Sequence, residues 1–333
     1  MNVLFIGGTG VISSACSALA VKQGIDLTLL NRGQTNRPVP EGVTLLHGDI
    51  HDPAVGDLLA DRTWDAVVDW IAYTPDHIQR DINLFRGRTR QYIFISSTSV
   101  YQTPPASLPV TESTLLDNPY WDYAQDKIAC EDLLVQAYRN EKFPMTIIRP
   151  SHTLDQTKIP LLGGYTTLNR MRQGKKVIVY GNGTSLWTLT HHTDFAKGFV
   201  PLLGRAGTIG DAIHITSDEW LSWNQIYAIM AQALGVEPRL IHVPSDLIAA
   251  FDSEIGAGIL GDKSNSMIFD NSKIKRLVPT FACSMPFSKS AHEIVNWYDI
   301  DPARQVVDER LDNLMDRIIS AYESAFPIKS TGD

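Results

Sequence analysis

Residues 4–16 read LFIGGTGVISSAC: an apolar run enters Gly7, Gly8 and Gly10, and a helix-like pattern leaves them. A dinucleotide turn asks for glycine for three reasons: a tight bend, backbone approach to a pyrophosphate, and close packing of the next helix on the strand. Gly7 and Gly10 meet the first two needs. Ser13 stands where the third glycine is expected. It is small enough to let the helix sit near the strand, and its hydroxyl falls in the first helical turn, where free N–H groups attract anions. The same spacing also serves a tight strand–helix connection that holds no ligand.

The surroundings weigh on that choice. Further strand patterns follow in DLTLLNRG, VTLLHGD, WDAVVDWIAY, QYIFISS and MTIIRP, separated by the helical stretches SSACSALAVKQG, PDHIQRDINLFRG and YAQDKIACEDLLVQAYRN. Short runs rich in Val, Ile and Leu, joined by helices, predict an α/β fold with a parallel sheet covered on both faces. After Pro150 the pattern loosens. TTLNRMRQG and DFAKGFVPLLG read as helices, KKVIVYGNG as a strand and turn, and AIHIT as a strand returning to the main sheet. Beyond it, SWNQIYAIMAQALG and SAHEIVNWYD read as helices among irregular segments, and the tail 329–333 as disordered.

Bulk properties narrow the function. The chain has 333 residues, 44% of them hydrophobic and 20% charged, which suits one large α/β unit or two domains. A net charge of −8 argues against a nucleic-acid surface, which rests on clustered Lys and Arg. The three cysteines, Cys16, Cys130 and Cys283, are scattered and form no CxxC, as in a reduced protein without disulfides or a zinc knuckle. With no apolar run of membrane-spanning length and a strand beginning almost at the first residue, the expectation is a cytoplasmic protein.

The second strand ends at Asn31 and Arg32. NAD sites tend to place Asp or Glu there, to bind the adenosine ribose hydroxyls. A guanidinium instead suits a 2′-phosphate, so the cofactor reading is NAD(P) with NADP favoured over NAD. Downstream, FISSTSVYQ precedes YWDYAQDK, where Tyr123 and Lys127 stand four residues apart and share a face of a helix.

Taken together, the turn GGTGVIS, the GD of LLHGDIHD, SSTSVY, YAQDK, IIRPS and VYGNGTSLWTLTHHTDFA resemble an extended short-chain dehydrogenase/reductase of the NAD(P)-dependent epimerase/dehydratase family, in family order over nearly the whole chain. The resemblance implies a Rossmann-type doubly wound sheet with a smaller C-terminal α+β substrate domain. Residues 1–150, completed by about 186–217, would bind the dinucleotide, and 151–185 with 218–328 the substrate. It assigns Tyr123 as general acid/base, with the Lys127 ammonium favouring its phenolate and bonding the nicotinamide ribose. Ser97 would hold the substrate oxygen. Gly7, Thr9, Gly10, Val11, Ile12, Asn31, Arg32, Asp49, Ile50, Ala72, Tyr73 and Pro150 are the other expected cofactor contacts, Asp49 as acceptor for the adenine amino group. Ser99, His152 and Trp187 are the candidate substrate contacts.

The substrate end departs from the family. Sugar-nucleotide members often carry an arginine and an aspartate in the stretch matching SLWTLTHH; here Trp187 and Thr188 stand there, and His152 replaces a frequent asparagine. An indole cannot grip phosphate as a guanidinium does. Trp187 either stacks on a ring or fills a core. His191 and His192 are adjacent, so on a strand they point to opposite faces, and no metal site is expected; Asp194 reads as the N-cap of the helix FAKGFV. The resulting reading is hydride transfer at a hydroxyl or carbonyl of a sugar-like substrate by a homodimer pairing through helices near 76–87 and 122–139. An NADPH-dependent carbonyl reductase is one alternative. A non-catalytic nucleotide- or RNA-binding relative, like the chloroplast stem-loop-binding proteins, is another.

Overall fold

The computed structural model describes residues 1–326 apart from 36, 60 and 61, so the tail at 329–333 lies outside the described residues. The first half runs β1 (Asn2–Ile6), α1 (Val11–Lys22), β2 (Asp26–Asn31), β3 (Thr44–His47), α2 (Val55–Leu59), β4 (Ala66–Asp69), α3 (Pro75–Phe85), β5 (Tyr92–Ile95), α4 (Asp122–Glu141) and β6 (Met145–Pro150). There follow β7 (His152–Leu154), α5 (Tyr165–Arg172), β8 (Lys176–Tyr180), β9 (Leu186–Trp187), β10 (Leu189–His191), α6 (His192–Phe199), β11 (Ala212–Ile215), β12 (Leu221–Ser222), α7 (Trp223–Leu234) and β13 (Arg239–Val243).

Seven strands form one parallel sheet in the order β11-β6-β5-β4-β1-β2-β3. The strand AIHIT does return to it, beside β6. Period-two geometry explains why β1 is apolar on both sides. Val3 and Phe5 pack with Cys16, Ala20, Phe195 and Phe199. Leu4 and Ile6 pack on the other face with Ile78, Ile82, Cys130 and Leu134. All four strand residues are fully buried, each stabilising the fold by about 1.5–3 kcal/mol. Helices α1 and α6 thus cover one face and α3 and α4 the other.

A third core gathers Tyr180, Trp187, Trp223, Tyr227, Phe287, Ile294, Leu314 and Ile318. Two of its elements lie in segments read from sequence as irregular. The helix Glu309–Ala325 buries Leu314, Met315, Ile318 and Ile319, a helical spacing that was present in the sequence. Strand β13 pairs in parallel with β8, a pairing that only the tertiary fold supplies. Asp194 is not the cap of α6: His191 is, accepting from the Thr193 N–H, and the Asp194 carboxylate binds the Ser284 and Met285 amides and Lys197. Among the described residues no helix is long and apolar enough to cross a membrane.

Candidate active site

Strand order reverses between β1 and β4, and in such sheets ligands bind outside the carboxyl ends of the strands at that point. A cleft of about 580 Å³ opens there, lined by the residues that follow β1, β2, β3, β4, β5 and β6. Its volume lies in the usual range for small-ligand sites, about 300–1,000 Å³.

The glycine turn forms one wall. Gly7 and Gly8 have φ of +96° and +105°, conformations open to glycine. A Cβ on Gly8 would stand 2.6 Å from Leu29 Cδ2 and 3.3 Å from Ser17 Oγ, so Gly8 permits the close packing of α1 against β2. Ser13 is buried, and its hydroxyl oxygen accepts from the Gly10 N–H at 2.7 Å. The third-glycine position therefore closes the turn internally, while the start of α1 still faces the cleft through Val11, Ile12 and Ser13.

Gly7, Thr9, Gly10, Val11, Ile12, Asn31, Arg32, Asp49, Ile50, Tyr73 and Pro150 all line this cleft. Ala72 does not. Its side chain is buried, and its carbonyl accepts from Lys127 Nζ at 2.7 Å. Asp69, at the end of β4, fixes that carbonyl by accepting from the Ile71 and Ala72 amides at 2.6 and 2.8 Å. Arg32 is largely exposed, with Nη1 3.7 Å from Asp49 Oδ2.

Ser97, Tyr123 and Lys127 reach the same cleft from two elements, the end of β5 and the first turns of α4. Ser97 Oγ accepts from the Ser99 amide at 3.1 Å and from its hydroxyl at 2.9 Å. A buried ion pair sets the register of α4 on the sheet: Arg149 on β6 binds Glu131 at 2.9 and 2.5 Å, and Glu131 also accepts from Ser96 at 2.6 Å. Glu131 follows Lys127 by one turn, so this pair holds the Tyr–Lys face toward the cleft.

Lys127 is almost wholly buried. Its ammonium donates to Ala72 and to the Ile95 carbonyl at 2.8 Å, and lies 4.7 Å from the ring centroids of Tyr73 and Phe94. Burial holds it down to about 8. The Tyr123 hydroxyl goes the other way, pushed up to about 12 by burial and by the neighbouring Tyr73, with a Ser97 hydrogen bond pulling down. The Lys127 ammonium does not offset that burial. Desolvation outweighs an ammonium 5.8 Å from the ring centroid and already engaged with two carbonyls.

Of the candidate substrate contacts, Ser99 and His152 line the cleft and Trp187 does not. Trp187 is buried in the third core, 4.9 Å from Trp223 and 4.8 Å from His152 between ring centroids. Of the two roles open to it, the structure gives it the core-filling one. Trp121, Thr153, Lys158 and Asp262 line the cleft as well. Trp121 is within reach of a sequence reader, two residues before Tyr123. Asp262, in the single π turn Ile259–Lys263, carries no local signal and is brought in by tertiary folding alone.

A doubly wound parallel sheet with a glycine turn at its switch point defines a dinucleotide-binding fold. The model of the NAD dependent epimerase/dehydratase family matches residues 3–215, and the chain belongs to that family of enzymes. A UDP-glucose 4-epimerase of Lactobacillus helveticus is 28% identical over 45% of this chain and 51% of its own. The chloroplast stem-loop binding protein of 41 kDa b from Arabidopsis thaliana is 24% identical over 72% of this chain and 65% of its own. The chain thus spans between half and two thirds of those relatives. The UDP-glucuronic acid 4-epimerase of Bacillus cereus, solved with UDP-glucuronic acid and NAD, shares the fold at a TM-score of 0.72 and 19% identity, covering 90% of this chain and 99% of its own.

Proposed function

We propose that this chain is an NAD(P)-dependent oxidoreductase of the epimerase/dehydratase type, moving hydride at a hydroxyl or carbonyl carbon of a sugar-like substrate. The observation that carries the reading is the convergence of Ser97, Tyr123 and Lys127 on the cleft that begins at the glycine turn. A dinucleotide fits the residues present. Gly7 and Gly10 line the cleft where the chain turns, and the first residues of α1, Val11 and Ile12, bring the helix N-terminus to it, where helix amides attract a pyrophosphate. When bound, a dinucleotide would supply the hydride acceptor and donor.

The protein groups do the rest. Tyr123 and Ser97 hold the substrate oxygen, and Tyr123 takes or gives its proton. An ammonium has three N–H donors, and Lys127 spends two on carbonyls, leaving one for a ribose hydroxyl. Asp69, through the Ala72 carbonyl, keeps that ammonium in place. Among the described residues Arg32 carries only a long contact to Asp49, and Asn31 brings no carboxylate, which supports NADP; the Bacillus cereus structure carries NAD.

The sheet with β11 in it, and the separate core around Trp223, Tyr227, Phe287 and Leu314, support a division into a dinucleotide unit (1–150 with about 186–217) and a substrate unit (151–185 and 218–328), with Trp187 and Leu189 joining that separate core from the first unit's returning segment. A homodimer through α3 and α4 is part of the same proposal. Likeness to the stem-loop binding protein raises a second reading, RNA binding without turnover. The buried, hydrogen-bonded lysine one turn after Tyr123 favours catalysis over it.

The test is Tyr123→Phe in a substrate screen that follows bound dinucleotide at its reduced-nicotinamide absorbance. Loss of about a hundredfold or more in the rate of hydride transfer supports the general acid/base assignment. An unchanged rate removes it.

A further inference from the structure

Lys127 takes two of its contacts from one short loop. The Ala72 carbonyl accepts from its ammonium at 2.7 Å, and the Tyr73 ring centroid stands 4.7 Å from it. The loop joins β4 to α3, and each of its four amides has a partner. The Trp70 amide donates to the Ile6 carbonyl at 3.1 Å, the Ile71 and Ala72 amides to Asp69 Oδ1, and the Tyr73 amide to His77 Nδ1 at 3.1 Å. Asp69 thus sets the middle of the loop, and what holds Asp69 decides where the Ala72 carbonyl points.

Arg80, on α3, holds it. Arg80 Nη2 donates to Asp69 Oδ2 at 3.3 Å. The same guanidinium donates through Nε and Nη2 to Asp81 Oδ1 at 2.9 and 2.7 Å, and its Nη1 lies 2.8 Å from His51 Nδ1, in the loop after β3. The other Asp81 oxygen accepts from the Tyr92 hydroxyl at 2.6 Å, which anchors the group to β5. Both carboxylates are fully buried, and burial together with the neighbouring Asp69 pushes the Asp81 carboxyl up. Two buried carboxylates around one guanidinium are a poor way to stabilise a fold, because apolar side chains of similar volume would avoid the desolvation cost. What the group does provide is direction. A guanidinium is a planar, rigid fork, so its contacts to Asp81 fix the angle at which it meets Asp69.

We propose that Arg80 is a positioning residue for Lys127: held by Asp81, it fixes Asp69 and, through Asp69, the loop whose Ala72 carbonyl and Tyr73 ring seat the ammonium. The proposal rests on the reading that Lys127 bonds the ribose of a bound dinucleotide. It extends the site to a side chain that does not line the cleft.

A double-mutant cycle on dinucleotide affinity tests this, with the protein titrated with both NAD and NADP and the tighter binder followed. Lys127→Met should weaken binding about tenfold, the loss of one charge-assisted hydrogen bond. Arg80→Lys keeps the charge but loses the fork, and should weaken binding about threefold or more. In the Lys127→Met background, Arg80→Lys should have no further effect, a coupling that a merely structural role would not produce. Should Arg80→Lys fail to fold, Arg80→Gln combined with Asp81→Asn removes one charge of each sign and takes its place in the cycle. Affinity unchanged by the Arg80 variants, or weakened equally with and without Lys127, overturns the positioning role and leaves the proposed function standing. Affinity unmoved by Lys127→Met removes the ribose contact and the positioning role with it. Failure to bind NAD or NADP at all overturns the proposed function as well.

Discussion

Lys127→Met offers a test in which the magnitude comes from the structure. Burial lowers the Lys127 ammonium from 10.5 to about 8, a descent worth about 3 kcal/mol. The folded value lies below the unfolded one, so between pH 8 and 10.5 the unfolded chain binds a proton that the native protein has released. Stability of the dinucleotide-free wild type should therefore rise with pH through that window, relative to Lys127→Met. Below pH 8 both states of the wild type are protonated and the difference is flat. Removing the ammonium also strands the Ala72 and Ile95 carbonyls, but that cost does not depend on pH and cancels in the comparison. Urea unfolding of both proteins at half-unit steps from pH 7 to 10 reads the effect. Most of the change falls before Tyr123, pushed up to about 12, begins to titrate in the native state. The midpoint difference should move by about 1 M or somewhat less. A difference that stays constant from pH 7 to 10 would refute the burial argument for Lys127.

Gly8→Val should lose dinucleotide binding by equilibrium dialysis and destabilise the fold by about 1–3 kcal/mol, since it combines a φ of +105° with a Cβ 2.6 Å from Leu29. Arg32→Ala should lower the NADP-to-NAD affinity ratio about tenfold in paired titrations if the guanidinium reads a 2′-phosphate, and an unchanged ratio removes that role. Arg149→Met leaves Glu131 buried without its partner and should cost about 3–5 kcal/mol in chemical denaturation. Trp187→Phe should change thermal stability but leave KM within about twofold, because the indole lies in the core and not in the cleft.

Much of the first 150 residues is legible in the sequence because its signals are local. The apolar run before Gly7 forms β1, and the pattern after Gly10 forms α1. Tyr123 and Lys127 meet one cleft because helical geometry sets a four-residue spacing on one face. Ser97 arrives at the end of β5, where a parallel sheet exposes its loops. The rest depends on contacts that no window contains. Trp187 looks free beside polar neighbours, yet Trp223 and His152 enclose it from other elements. Lys158 and Asp262 acquire their meaning from a cleft wall assembled from distant loops. The lowered Lys127 and raised Tyr123 follow from burial depth, which spacing does not reveal. The helix Glu309–Ala325 is different: its apolar residues repeat at helical spacing, so its signal was local and available.

The measurement that bears most directly on the central claim is to purify the chain without added cofactor, denature it, identify any released dinucleotide by mass spectrometry, and titrate the protein with NAD and NADP if none is released. The account predicts about one dinucleotide per chain, either retained through purification, as suits an enzyme that recycles its cofactor, or bound reversibly, as suits a reductase. A chain that releases none and binds neither NAD nor NADP would contradict it.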